Sequence, residues 1–172
     1  MNQVATVERA KAALEPPTGH VEDFDFLVGV WRVHHRQLVG RLVGSTTWRE
    51  FGGVSTAWKI MGGLGNLDDN IIELPTGAYR AASLRTFDPV RRVWSIFWVD
   101  SRIARIDPPQ VGGFDGPRGV FYGEDLHEGT PVAVRYIWTI EDADHCRWEQ
   151  AFSTDGGLSW ETNWMNWFER TA

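Results

Sequence analysis

The chain has a single cysteine, Cys146, in 172 residues. A lone thiol closes no intrachain disulfide and builds no cysteine-based metal cluster. That sets aside the disulfide-stapled secreted domains and leads us to expect a reducing, cytoplasmic setting. Cations are also scarce: 17 Lys and Arg stand against 23 Asp and Glu, for a formal charge of −6 and a pI near 5.3. A nucleic-acid partner needs a basic surface to meet its phosphates, so none is expected. No stretch approaches the roughly 18 continuous apolar residues of a membrane span. The residues after Met1 do not form a basic region followed by an apolar run, so no secretion leader and no membrane partner are expected. A Gly-x-Ser-x-Gly nucleophile motif is absent. His34 and His35 adjoin, but neighbours on a strand point to opposite faces and cannot share one ion. His20, His127 and His145 lack ligand spacing, so we expect neither a metal nor a cofactor.

What the chain has in abundance is aromatic rings, ten Trp and nine Phe. Such rings fill a core, line a pocket or build an interface, and composition alone does not separate these uses. The length suits one domain. Residues 1–20 read as an N-terminal helix and linker, and residues 21–172 as a single barrel domain. Val4, Val7, Ala10, Lys11 and Leu14 recur at helical spacing, and Pro16-Pro17 stop the helix.

From Val30 onward, short β-rich runs alternate with turn residues. Strands are expected near Trp31 to Leu38, Thr46 to Phe51, Val54 to Met61, Ile71 to Leu74, Tyr79 to Phe87 and Val93 to Arg102. More follow near Gly119 to Glu124, Val132 to Ile140, Arg147 to Ser153 and Glu161 to Thr171. Asp155-Gly156-Gly157 between two aromatic runs is a strong hairpin signal. The fold class this implies is all-β, an antiparallel up-and-down β-barrel of about 8–10 strands, closed so that no edge is exposed. The Gly62 to Asn70 segment reads as a flexible connection, or as a mouth loop whose Asn66 and Asn70 contact a ligand.

Period-two alternation divides each strand into an inner and an outer face. Trp31 and His35 fall inside, as do Tyr136 and Trp138, Trp148 and Gln150, and one face of the last strand, Trp160, Thr162, Trp164, Asn166, Phe168 and Arg170. Val93 to Arg102 is apolar on both faces. We take Trp94, Ile96, Trp98, Asp100 and Arg102 as the inner set, with the outer set covered by the N-terminal helix or by a second subunit in a homodimer. The expected ligand-binding residues are therefore His35, Trp58, Trp98, Asp100, Arg102, Tyr136, Trp138, Gln150, Trp164 and Asn166. Aromatic walls carrying a few polar tips describe a small-molecule site.

Several motifs carry a family likeness. They are Phe24-Asp25-Phe26-Leu27-x-Gly29-x-Trp31, Gly63-Leu64-Gly65-Asn66-Leu67-Asp68-Asp69-Asn70, Trp94 through Arg102, and Trp148-Glu149-Gln150-Ala151-Phe152-Ser153-x-Asp155-Gly156-Gly157. Over about residues 23 to 171 the chain resembles a bacterial, lipocalin-like family of uncharacterised proteins with a domain of unknown function. The resemblance implies a calycin-type barrel and supplies no catalytic residues. In lipocalin-like barrels the Gly-x-Trp start and a terminal Arg meet at a closed base, which assigns Trp31 and Arg170 a structural role. The expected function is binding of a small hydrophobic or aromatic ligand. A first alternative is a cyclase or isomerase acting on a polyketide-like substrate. There His35 or Asp100 would move the proton, burial raising the Asp pKa. A second is a haem protein similar to nitrobindin, with one inward His as axial ligand.

Overall fold

In a computed structural model, residues 14–103 and 105–171 are described. The helix expected over Val4 to Leu14 lies outside them, apart from its last residue. Ten strands run up and down in chain order: β1 (Gly29–Leu38), β2 (Trp48–Ile60), β3 (Gly65–Leu74), β4 (Gly77–Asp88), β5 (Val93–Asp100), β6 (Gln110–Asp115), β7 (Arg118–His127), β8 (Thr130–Ile140), β9 (His145–Ser153) and β10 (Glu161–Arg170). Each pairs antiparallel with the next, and β10 returns to β1 to close the barrel. Among the described residues no helix is long and apolar enough to cross a membrane.

The base is closed by the segment before β1. Phe24, which precedes a 3-10 turn at Asp25–Leu27, and Leu27, which ends it, are each 1% exposed. Phe24 meets Trp94 and Phe114 edge to face, each with centroids 5.1 Å apart, an arrangement that aligns ring edges with ring faces. Trp31 lies opposite Arg170 across the β1–β10 seam. The Arg170 guanidinium sits 4.2 Å from the centre of the Trp31 ring and donates to the carbonyls of Val28 and Phe26 at 2.7 and 2.6 Å. Trp31 itself donates from Nε1 to Leu27 O. One cation thus satisfies carbonyls the turn leaves open and covers the ring beneath it.

Four strand expectations need correction. Thr46 to Phe51 and Val54 to Met61 are a single strand, β2, running straight through Gly52-Gly53. Those glycines make room rather than a turn: a Cβ on Gly53 would stand 2.8 Å from His35 Nε2 and 2.6 Å from Ile71 O. Strand β3 begins at Gly65, so most of the supposed flexible connection is sheet, and only Met61–Gly63 turns. Strand β6 was missed. Its Gly112-Gly113 pair looks like a breaker, yet the N-terminal segment crosses there, and a Cβ on Gly113 would sit 2.7 Å from Gly19 N and Pro17 O. In β10 a bulge at Thr162/Trp164 leaves Asn163 unpaired and shifts the phase. Trp160 therefore lies outside against Tyr122 and Arg135, while Trp164 and the residues after it keep the inner phase.

Candidate functional site

Above the packed base the barrel encloses a cavity of about 280 Å³. Nine of the ten expected residues line it: His35, Trp98, Asp100, Arg102, Tyr136, Trp138, Gln150, Trp164 and Asn166. The inner face chosen for β5 is correct, since Trp94, Ile96 and Asp100 are buried. Trp58 is the exception. Inward residues of β2 are odd-numbered (Phe51, Gly53, Ser55, Ala57), so Trp58 points outward and is 42% exposed. Its large ring suggested an interior place, but register overrides hydrophobicity here. Trp31 and Arg170 lie in the base, below the cavity.

The cavity wall is rings whose polar atoms are partly matched. Trp164 meets Trp98 and Trp148 near edge-on at 6.3 and 5.8 Å, and Tyr136 meets Trp148 at 4.9 Å. Gln150 donates to Asn163 Oδ1 at 2.8 Å, which gives the bulged residue a buried partner. His35 Nδ1 donates to Asn166 Oδ1 at 2.7 Å, and the ring stacks on Phe51. In that tautomer Nε2 is the bare nitrogen, and it is turned to the wall at Gly53. Desolvation is the main cause that brings the His35 pKa down to about 4, outweighing the hydrogen bond His35 donates to Asn166.

Asp100 behaves contrary to expectation. Burial does push its pKa up, but four hydrogen bonds from Arg102, one through its backbone N–H and three through its guanidinium, more than offset this and leave it below the ordinary value. At neutral pH, His35 is thus an uncharged, weak base and Asp100 a carboxylate held by a cation. Neither is tuned for proton transfer, which works best near the operating pH.

The floor holds a group that alternation along single strands did not reveal. Arg85 on β4 and Asp68 on β3, 2% and 3% exposed, form an ion pair at 2.6 Å. Arg85 also donates to Asn66 Oδ1 at 2.9 Å, and Asp68 accepts from Asn70 and from the Ser83 backbone N–H. The underside of the guanidinium faces the base, 5.2 Å from the Phe24 ring and 5.7 Å from that of Trp138. A buried pair needs such extra hydrogen bonds to offset desolvation. Asn66, Asp68 and Asn70 share one phase with buried Ile72, and Arg85 shares one with Ala81 and Ser83. That phase was legible once both segments were taken as strands.

The mouth departs from regular sheet. Strand β5 pairs with β6 only from Trp94 to Ile96. Beyond that residues 105–109 run back along β5, with a bridge from Val99 to Ile106 and Asp107 N–H donating to Trp98 O. The cavity wall there gains Asp107 and Asp125, and Arg41 joins it from the β1–β2 loop. Cys146 is buried in the base and its thiol is pushed up to about 12 by burial, so it is chemically quiet. Among the described residues no group of three or more His, Cys, Asp or Glu is placed to hold a metal ion. The molecule is thus a closed ten-strand barrel with a sealed aromatic base and a cavity under an irregular mouth. Comparison with family models and with curated proteins finds no match to this chain.

Proposed function

We propose that the protein binds a small aromatic molecule inside the barrel, in the manner of the lipocalin-like family its motifs resemble. The observation that carries this is the cavity itself. It measures about 280 Å³ and is walled by Trp98, Trp138, Trp148, Trp164, Tyr136 and Phe152 above a floor that is fully packed. The rings are held by the sheet, so a flat ligand loses little protein freedom on entering. The size is at the small end for ligand pockets, which span roughly 300–1,000 Å³, and suits a molecule of one or two rings.

The enzyme reading draws no support from its two candidates, because His35 is turned to the wall and Asp100 is engaged by Arg102. The haem reading fares likewise, with both nitrogens of His35 directed at Asn166 and Gly53 rather than at the open space. Fluorescence titration with N-phenyl-1-naphthylamine, an uncharged aromatic probe, tests the binding reading. Enhancement that saturates one site is expected. Ser83→Phe, which fills the cavity from β4, should weaken binding more than tenfold while the melting transition stays cooperative. Equal binding by the filled variant would place the probe on the surface and sink the proposal.

A further inference from the structure

We infer that the molecule held in the cavity carries a carboxylate, received at the mouth by Arg41. This rests on the reading of the cavity as a ligand site. Three observations meet at this residue. First, ion pairs within the cavity engage Arg85 with Asp68 and Arg102 with Asp100, whereas among the described residues no ion pair engages Arg41. Its guanidinium instead lies 5.6 Å from the Phe152 ring and 5.8 Å from the Trp164 ring.

Second, the loop that presents it is built to stay in place. Gly40, Leu42 and Gly44 all take left-handed backbone, with φ of 77°, 61° and 71°. A leucine there is sterically disfavoured. It is held by its N–H donating to Glu161 Oε1 at 2.8 Å and by packing against the Val132, Val134 and Phe152 cluster. The sequence thus sustains local strain to fix the residue beside Arg41.

Third, charge at the mouth is divided. The Arg102 guanidinium lies 3.6 Å above the Tyr79 ring and is engaged by Asp100. Arg49 donates to Gln37 and carries no ion pair among the described residues. Desolvation first, then the charge of Arg49, hold the Arg41 pKa below its ordinary value. A bound anion offsets both by favouring the charged guanidinium. The mouth also carries Asp107, paired with Arg105 at 3.1 Å, and Asp125, which accepts from the Leu126 N–H at 2.7 Å. Like charge keeps an anionic head off those carboxylates, and Arg41 is a lining cation that no ion pair engages among the described residues. A planar guanidinium flanked by two rings matches a planar carboxylate by two parallel hydrogen bonds while the aromatic body stays among the rings.

The test compares 2-naphthoate with its uncharged counterpart 2-naphthamide by isothermal titration calorimetry, on wild type, Arg41→Gln and Arg41→Lys. Naphthoate should bind wild type at least tenfold more tightly than the amide. Arg41→Gln should remove about that factor for naphthoate and leave the amide within twofold, with Arg41→Lys between. Equal affinity of the two compounds for wild type overturns the inference. So does an Arg41→Gln variant that weakens both alike, since that marks a packing role. If N-phenyl-1-naphthylamine enters the cavity but naphthoate gains nothing over the amide, the carboxylate is wrong and the cavity reading stands. If no compound binds, both fall together.

Discussion

At the closed end of the barrel the rings touch one another, and at the open end they stand around a space. Phe24, Trp31, Trp94 and Phe121 are at most 1% exposed and pack with the 3-10 turn and Phe114 into one continuous cluster. Trp98, Trp148 and Trp164 belong to the same aromatic class, yet they line the cavity with polar neighbours. Between the two lies Arg85, its face toward the base rings and its donors toward Asp68 and Asn66. The same residue type thus serves stability in one half and shape in the other. What separates them is whether the preceding segment of chain fills the interior.

If that division is right, the two halves should answer differently to substitution. The largest effect is expected from Phe121→Ala in the base, where the cavity created has no room to collapse. A loss of about 4 kcal/mol should appear in urea unfolding. A loss under about 1 kcal/mol would show that the base is less tightly packed than the ring geometry implies.

Next comes acid. The folded pKa of His35, about 4, lies below its unfolded value of 6.5, so the unfolded chain binds the extra proton first. The stability contributed by keeping His35 neutral is complete above pH 6.5 and is lost as the pH falls toward 4, about 3 kcal/mol in all. His35→Gln should flatten the stability profile across that window. A variant with the wild-type slope would mean that the ring is solvated.

Smaller again is Arg170→Ala. It removes the cation over Trp31 and two hydrogen bonds to turn carbonyls, and should cost about 2 kcal/mol, read as a lower melting temperature. An unchanged melting temperature would detach the terminal Arg from closure of the base. The smallest is Leu126→Ser on the mouth rim, where the side chain is already 62% exposed. Stability should stay within about 0.5 kcal/mol, so that any change in probe binding reports on the mouth alone.

Much of this was legible before any coordinates. The inner phases of β1, β5, β8 and β9 follow from alternation, and the Trp31–Arg170 closure, which the lipocalin-like resemblance implies, agrees with the two ends sharing that phase. Expectation and structure both reach ten strands, but for offsetting reasons: β2 was divided in two and β6 was missed. Each difference falls at a glycine pair, where the missing side chains admit the His35 ring or the crossing N-terminal segment. Trp160 was misplaced because a bulge is a single inserted residue with no compositional mark. Arg85 and Asp68 went unnoticed because a charge on a strand ordinarily faces water, and a buried one makes sense only beside its partner.

The sequence by itself determined the all-β class, the antiparallel order, the inward phase of most strands and the aromatic character of the interior. These are consequences of a two-residue period and of local turn chemistry, and both act between near neighbours. Only the tertiary structure decided which inward polar groups meet. Arg85 finds Asp68 seventeen residues away and His35 finds Asn166 at a separation of 131, while among the described residues no ion pair engages Arg41 at the cavity. Such pairings depend on register, on the bulge and on barrel closure. An unmatched charge beside an aromatic space can be recognised only when its surroundings are in place.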